Sequence, residues 1–269
     1  MADSIKIETV GTDGFTMDYF RFGNGDRTLV IIPGLSIDSV MKYADAVAGA
    51  YDSMTDEFTV YLFDRRKELP AEYSIYDMAH DTAAAISKLG LDHICLFGAS
   101  QGGMIAMVIA IEYPELVSKL IVGSSSACID QEQDPVIAEW IGLAKDKNAE
   151  GLYLAFGETV YPRNVFEQSR DLIIESAKSI TDEDLSRFVI LAGSIKGFDI
   201  TDQLDKISCP VLVIGSNDDN VLGGEASEKI YEQLKDHQKC GLYMYDGYGH
   251  AVYDLAPDYR ERMINFYKA

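Results

Sequence analysis

The 269-residue chain reads as an α/β protein with a mostly parallel central sheet and helices on both faces. Three observations predict this. Six short apolar runs, at residues 28–32, 58–63, 93–97, 117–123, 210–214 and 241–245, are rich enough in Val, Ile and Leu for strands buried on both faces. Stretches of helical spacing separate them, and such alternation implies parallel strands joined by helical crossovers. Only the first two strands, within residues 4–10 and 15–22, show the alternation of an antiparallel pair, joined at 11–14.

The elements follow in order. The turn at 23–26 ends the opening pair, and the run at 28–32 stops at Pro33-Gly34-Leu35-Ser36, a loop that opens a helix. The run at 58–63 ends at Asp64-Arg65-Arg66. Ser74, with Asp77 three residues on, forms a capping box for a helix whose inner stripe is Ile75, Met78, Ile86 and Leu89, and Gly90 ends it. After the run at 93–97 comes a tight turn and a stretch, 104–111, apolar almost all round, as suits a buried helix. Beyond the strand at 117–123, residues 125–199 hold no strand-like run. They carry Trp140, Phe156, Tyr161, Phe166 and Phe188 on helical segments. We read them as a helical cap inserted into a core of residues 1–124 and 200–269. A strand at 210–214, a helix near 225–234, a strand at 241–245 and a last helix from about Val252 complete the chain.

The chemistry centres on Gly98-Ala99-Ser100-Gln101-Gly102. A Gly-x-Ser-x-Gly turn between strand and helix exposes the serine at a sharp bend, and the small glycines let strand and helix pack closely behind it. A serine hydroxyl needs a general base within hydrogen-bond reach. Of the four histidines, His80 lies mid-helix among polar residues, His93 starts a strand at the opposite edge, and His237 lies in the charged turn 235–239. His250 stands in Asp246-Gly-Tyr-Gly-His250, after the last strand and on the same edge as Ser100. The turn after residue 214 supplies two candidate acids to orient it, Asp218 and Asp219. Backbone N–H groups of Gln101, at the helix start, and of Leu35, in the loop after the third strand, are placed to hold an oxyanion. Within the cap, Trp140, Phe156 and Tyr161 are the expected substrate-pocket residues.

On these motifs the chain resembles the α/β-hydrolase superfamily over nearly its whole length. The order Ser100, aspartate, His250 is that of its nucleophile, acid and histidine. Residues 211–218 resemble its strand-Gly-x-x-Asp acid turn, which implies Asp218 as the acid, and Asp246–His250 resembles its histidine loop. Pro33-Gly34-Leu35 resembles the His-Gly-x oxyanion loop with proline in place of histidine. The Asp-x-Arg-Gly-x-Gly turn of the superfamily stands here as Asp64-Arg65-Arg66-Lys67-Glu68-Leu69, without glycines. The resemblance implies a serine hydrolase cleaving a small or medium carboxylic ester through an acyl-enzyme on Ser100. The same triad serves acyl transfer, perhydrolysis, thioesters and lactones, and a ligand-binding protein with little turnover is the alternative from another class.

Composition sets the remaining bounds. Forty-four acidic against 23 basic residues give a net charge of −21, which repels nucleic acid and anionic membrane. The start of the chain has no apolar core of a signal peptide, and no run reaches transmembrane length. Cys95, Cys128, Cys209 and Cys240 lack metal-ligand spacing, so a reduced, cytoplasmic setting is expected, with no metal and no organic cofactor. The expected partner is a small acyl substrate; the oligomeric state is left open.

Overall fold

An antiparallel pair opens the chain, β1 (Ile7–Gly11) and β2 (Thr16–Phe22), with Val10 opposite Met17. There follow β3 (Arg27–Ile32), α1 (Ala44–Ala50), β4 (Phe58–Arg66), α2 (Ile75–Lys88), β5 (Ile94–Ala99), α3 (Gln101–Glu112) and β6 (Val117–Gly123). Four helices come next: α4 (Asp134–Lys145), α5 (Ala149–Val160), α6 (Arg163–Ala177) and α7 (Asp182–Gly193). The chain then returns through β7 (Val211–Ser216), α8 (Glu225–Leu234), β8 (Cys240–Tyr245), α9 (Val252–Leu255) and α10 (Tyr259–Lys268). This computed structural model describes residues 4–129, 134–236 and 239–269, so His237 falls outside the described residues.

All eight strands form one sheet in the order β1-β2-β4-β3-β5-β6-β7-β8, antiparallel through β2 and β4 and parallel from there onward. The chain moves outward from β3 to β4, then crosses to β5 on the other side. The carboxyl ends of β3 and β5 therefore flank a reversal in strand order, where ligand crevices form in such sheets. Successive β5 residues point to opposite faces. Ile94 and Leu96 join a core cluster with Ile75 of α2, Met104 of α3 and Ile230 of α8. Cys95, Phe97 and Ala99 join a second cluster with Ala44 of α1 and Met263 of α10.

Local signals hold where they were strongest. Ser74 and Asp77 form the reciprocal capping box of α2, and Ile75, Met78 and Ile86 are buried on its inner face. Gln101 to Ala110 are all buried along α3, which packs on α2, β5 and β6. Two boundaries moved, one through strand pairing and one through a proline. β4 runs on to Arg66 because β2 pairs with it, Met17 opposite Arg66. The last helix is two helices, because Pro257 forces Ala256 into an extended conformation (ψ 123°). Where the chain leaves β6 and comes back toward β7, Cys128 and Asp199 form an antiparallel bridge, with Ile129 N–H to Phe198 O at 2.8 Å and Ile200 N–H to Ala127 O at 2.9 Å. Among the described residues no helix is long and apolar enough to cross a membrane.

Candidate active site

Ser100 joins β5 to α3 at φ 53° and ψ −122°, a backbone conformation that a side-chain-bearing residue adopts only when its surroundings impose it. The flanking glycines show what does so. A Cβ on Gly98 would lie 2.2 Å from the Gly102 carbonyl oxygen, and one on Gly102 would lie 2.1 Å from that of Ile32. Any larger residue would push α3 off the sheet. The Ser100 carbonyl accepts the N–H groups of Gly103 and Met104 and the Ser125 hydroxyl, which leaves the side chain as the free end of the turn.

His250 follows β8 and is 3% exposed. Its Nε2 lies 2.9 Å from Ser100 Oγ and its Nδ1 lies 2.8 Å from Asp219 Oδ2. This corrects the expectation of Asp218 as the acid. β7 continues through Ser216, two residues past the apolar run, so the turn is displaced along the chain. Asp218 then sits at its exposed tip, where its carboxylate accepts the Ser216 hydroxyl (2.6 Å) and the N–H groups of Gly247 (3.0 Å) and Gly249 (3.2 Å). It braces the loop that carries His250 without touching the ring. Asp219 points inward, 8% exposed, and its Oδ1 accepts the Val221 and Leu222 N–H groups at 2.8 and 3.0 Å. Burial opposes ionisation of Asp219, but the His250 ring and those two amides outweigh it and hold its carboxyl below the usual range. The other described histidines lie elsewhere: His80 is exposed and pairs with Glu112, and His93 is exposed at the opposite edge.

Ser100 and His250 open onto a cavity of about 440 Å³. Leu35, Trp140, Phe156 and Tyr161 all line it. Trp140 and Phe156 pack against each other at 4.6 Å between ring centres, so the α4–α5 pair forms one apolar wall. The Pro33–Leu35 loop lies against Ser100: a Cβ on Gly34 would come within 3.2 Å of Ser100 Cβ. Gln101 is the first residue of α3, and an amide in the first turn of a helix has no acceptor within it. The sequence offered no sign of the two carboxyls on the wall, those of Asp38 and Asp254. Asp254 of α9 lines the cavity with its side chain open to it, and desolvation by the protein packed around it pushes its carboxyl up to about 6 although Arg260 and His250 oppose the shift. Desolvation likewise pushes the Tyr161 phenol up to about 12, so it stays neutral.

Also unanticipated is a polar network behind the site. Arg65, 3% exposed, donates to the Pro33 carbonyl and to the Gln101 side chain. Asp64 accepts the Ser39 hydroxyl at 2.5 Å and Arg187 of α7 at 3.2 Å. Resemblance of residues 64–66 to the superfamily's Asp-x-Arg turn was the one available signal.

This sheet, with a serine on its strand–helix elbow and a histidine after its last strand, defines an α/β-hydrolase. The comparisons agree. The family described as serine aminopeptidase, S33, matches residues 26–254, and the chain belongs to that family of α/β-hydrolase enzymes. Among curated relatives, the Agrobacterium fabrum protein named "Putative carbamate hydrolase RutD" is 25% identical over 224 residues, 80% of this chain and 85% of that one. Among solved structures, MGS-M2, an alpha/beta hydrolase enzyme from a Medee basin deep-sea metagenome library, superposes with a TM-score of 0.85 at 19% identity over 97% of this chain and 98% of that chain. The enol-lactonase from Burkholderia xenovorans LB400 gives 0.83 at 14% identity over 97% and 100%. At these identities the structural likeness speaks for the fold.

Proposed function

We propose that the protein is a serine hydrolase that cleaves small or medium carboxylic esters through an acyl-enzyme on Ser100. The observation that carries this reading is the unbroken chain from Asp219 through His250 to Ser100, ending at the wall of an apolar cavity. His250 Nε2 takes the proton as Ser100 Oγ attacks the acyl carbon, then delivers it to the departing alcohol. Asp219 fixes the proton on Nδ1 and offsets the charge of the imidazolium. The Leu35 and Gln101 amides hold the oxyanion, and losing one such donor in other enzymes costs about 3 kcal/mol. Water, deprotonated by the same imidazole, then releases the acid. The helices between β6 and β7 act as a cap, with Trp140, Phe156 and Tyr161 bounding the acyl chain.

A panel of p-nitrophenyl esters of increasing acyl length tests this, together with a fluorophosphonate probe and Ser100→Ala. Burst release of nitrophenol and labelling confined to Ser100 are expected. Labelling that persists in Ser100→Ala, or tight ligand binding with no turnover on any ester, would overturn it.

A further inference from the structure

Two chain segments must be held in register for an oxyanion site to exist here, and they come from different strands: the Pro33–Leu35 loop after β3 and Gln101 after β5. One buried group fastens both. A single guanidinium nitrogen of Arg65, Nη2, lies 2.8 Å from the Pro33 carbonyl oxygen and 3.1 Å from Gln101 Oε1. Gln101, 1% exposed, uses the other end of its carboxamide on α7, donating to the Leu191 carbonyl at 2.7 Å and to Ser194 Oγ at 3.2 Å.

The chemistry of Arg65 argues against a role in stability alone. Among the described residues its side chain forms no ion pair. Asp64 beside it accepts the Arg65 backbone N–H and the Arg187 guanidinium instead. Arg65 Nε is buried with no hydrogen-bond partner among the described residues. A buried cation bonded only to a carbonyl and a carboxamide recovers little of its hydration, and an apolar side chain of like volume often serves a fold as well. What the guanidinium adds is direction, since the two in-plane N–H groups of Nη2 fix two acceptors relative to each other.

We propose that Arg65 and the Gln101 side chain are a positioning pair that sets the spacing of the Leu35 and Gln101 amides and ties that spacing to the seating of α7. This rests on the proposed serine-hydrolase reading. Neither side chain meets the substrate; Arg65 acts through the Pro33–Gly34 peptide, and the Gln101 carboxamide acts on the turn that carries its own amide.

The test uses Arg65→Met, Arg65→Lys and Gln101→Leu in the full chain. Active sites are counted by fluorophosphonate labelling, kcat and KM are measured on p-nitrophenyl acetate, and affinity is measured for phenylboronic acid. Its boron accepts Ser100 Oγ as His250 takes the proton, giving a tetrahedral adduct that presents an oxygen to the hole. Displacing the hole should lower kcat per labelled site by roughly 10- to 100-fold in Arg65→Met, with KM within about threefold, and weaken the boronate in parallel. Arg65→Lys, whose ammonium can still donate but without the fixed planar geometry, should fall between Arg65→Met and the parent, and Gln101→Leu should repeat the pattern. Should Arg65→Met not fold, the other two variants carry the test. A kcat per labelled site and a boronate affinity within twofold of the parent, in every variant that folds, would overturn the inference and leave the proposed function standing. A parent enzyme that the fluorophosphonate does not label overturns the proposed function instead.

Discussion

Replacing Asp219 by asparagine isolates what this carboxylate does for His250. The two oxygens of Asp219 are fully used: Oδ1 takes the Val221 and Leu222 amides, and Oδ2 takes His250 Nδ1 at 2.8 Å. Asparagine can keep its oxygen on the two amides, which places its NH₂ against the ring. Nδ1 must then accept rather than donate, the ring proton moves to Nε2, and Nε2 can no longer take the proton of Ser100 2.9 Å away. In another serine hydrolase that tautomer error costs roughly 10⁴ in kcat, or about 5 kcal/mol of transition-state stabilisation. The assay is kcat on a p-nitrophenyl ester for Asp219→Asn beside Asp218→Asn, with Ser100 labelling as the count of folded sites. Asp218→Asn should cost far less, because it disturbs only the bonds from the Ser216 hydroxyl and from the Gly247 and Gly249 N–H groups. The reverse ranking, or an Asp219→Asn enzyme within tenfold of the parent, would refute the assignment. The folded Asp219 carboxyl is held below its ordinary value. Its contribution to stability is therefore present above about pH 4 and fades as the pH falls through the folded value, so the Asn variant's deficit in Tm should shrink on acidification.

Ser100→Ala should remove roughly four to six orders of magnitude of kcat, measured on the same ester with the fold checked by circular dichroism. Asp254 carries the opposite sign from Asp219: its carboxyl is raised to about 6, so ionising it destabilises the fold as pH climbs from about 4 toward 6. Asp254→Asn should raise Tm more at pH 7 than at pH 4, and an equal change at both would remove the argument. Phe156→Ala should change the ranking of propionate, butyrate and hexanoate esters several-fold while leaving acetate within about tenfold, since each buried methylene is worth about 0.8 kcal/mol. Uniform loss across all lengths would mean that the aromatic wall positions the reacting groups. Ser74→Ala removes the hydroxyl half of the α2 capping box and should cost about 1 kcal/mol, a drop in Tm of about 2–4 °C, with kcat unchanged.

How far the sequence carried depends on the range of the interaction concerned. The β5–Ser100–α3 elbow, the α2 cap and the burial of α3 are written in residues a few positions apart, and all were legible there. His250 was legible because its position after the last strand fixed the edge it faces. The choice between Asp218 and Asp219 was not, since it depends on where β7 stops, and pairing with β8 carries that strand through Ser216 opposite Tyr245. The Arg65–Gln101 contact joins residues 36 apart, one on β4 and the other at the start of α3, and no periodicity reports it. Asp254 was hidden for a similar reason. A lone aspartate in a short helix reads as solvated until the cavity beside it is known.

The bridge between Cys128 and Asp199 has a consequence for how this protein can vary. Chain leaving β6 and chain heading for β7 are pinched together there by two backbone bonds, before any of α4–α7 begins. The four helices therefore hang from a closed neck, and their length does not alter where the chain leaves β6 or heads for β7. Such a segment is an exchangeable cassette. Material can be inserted, shortened or swapped from a relative at this neck, and the Ser100 elbow, the His250 loop and the sheet should be inherited unchanged. The exchange has a few fixed points of contact: whatever replaces these helices has to offer the carbonyl that Gln101 now finds on Leu191, the guanidinium that Asp64 finds on Arg187 and the carbonyl that the Ala251 N–H finds on Val160.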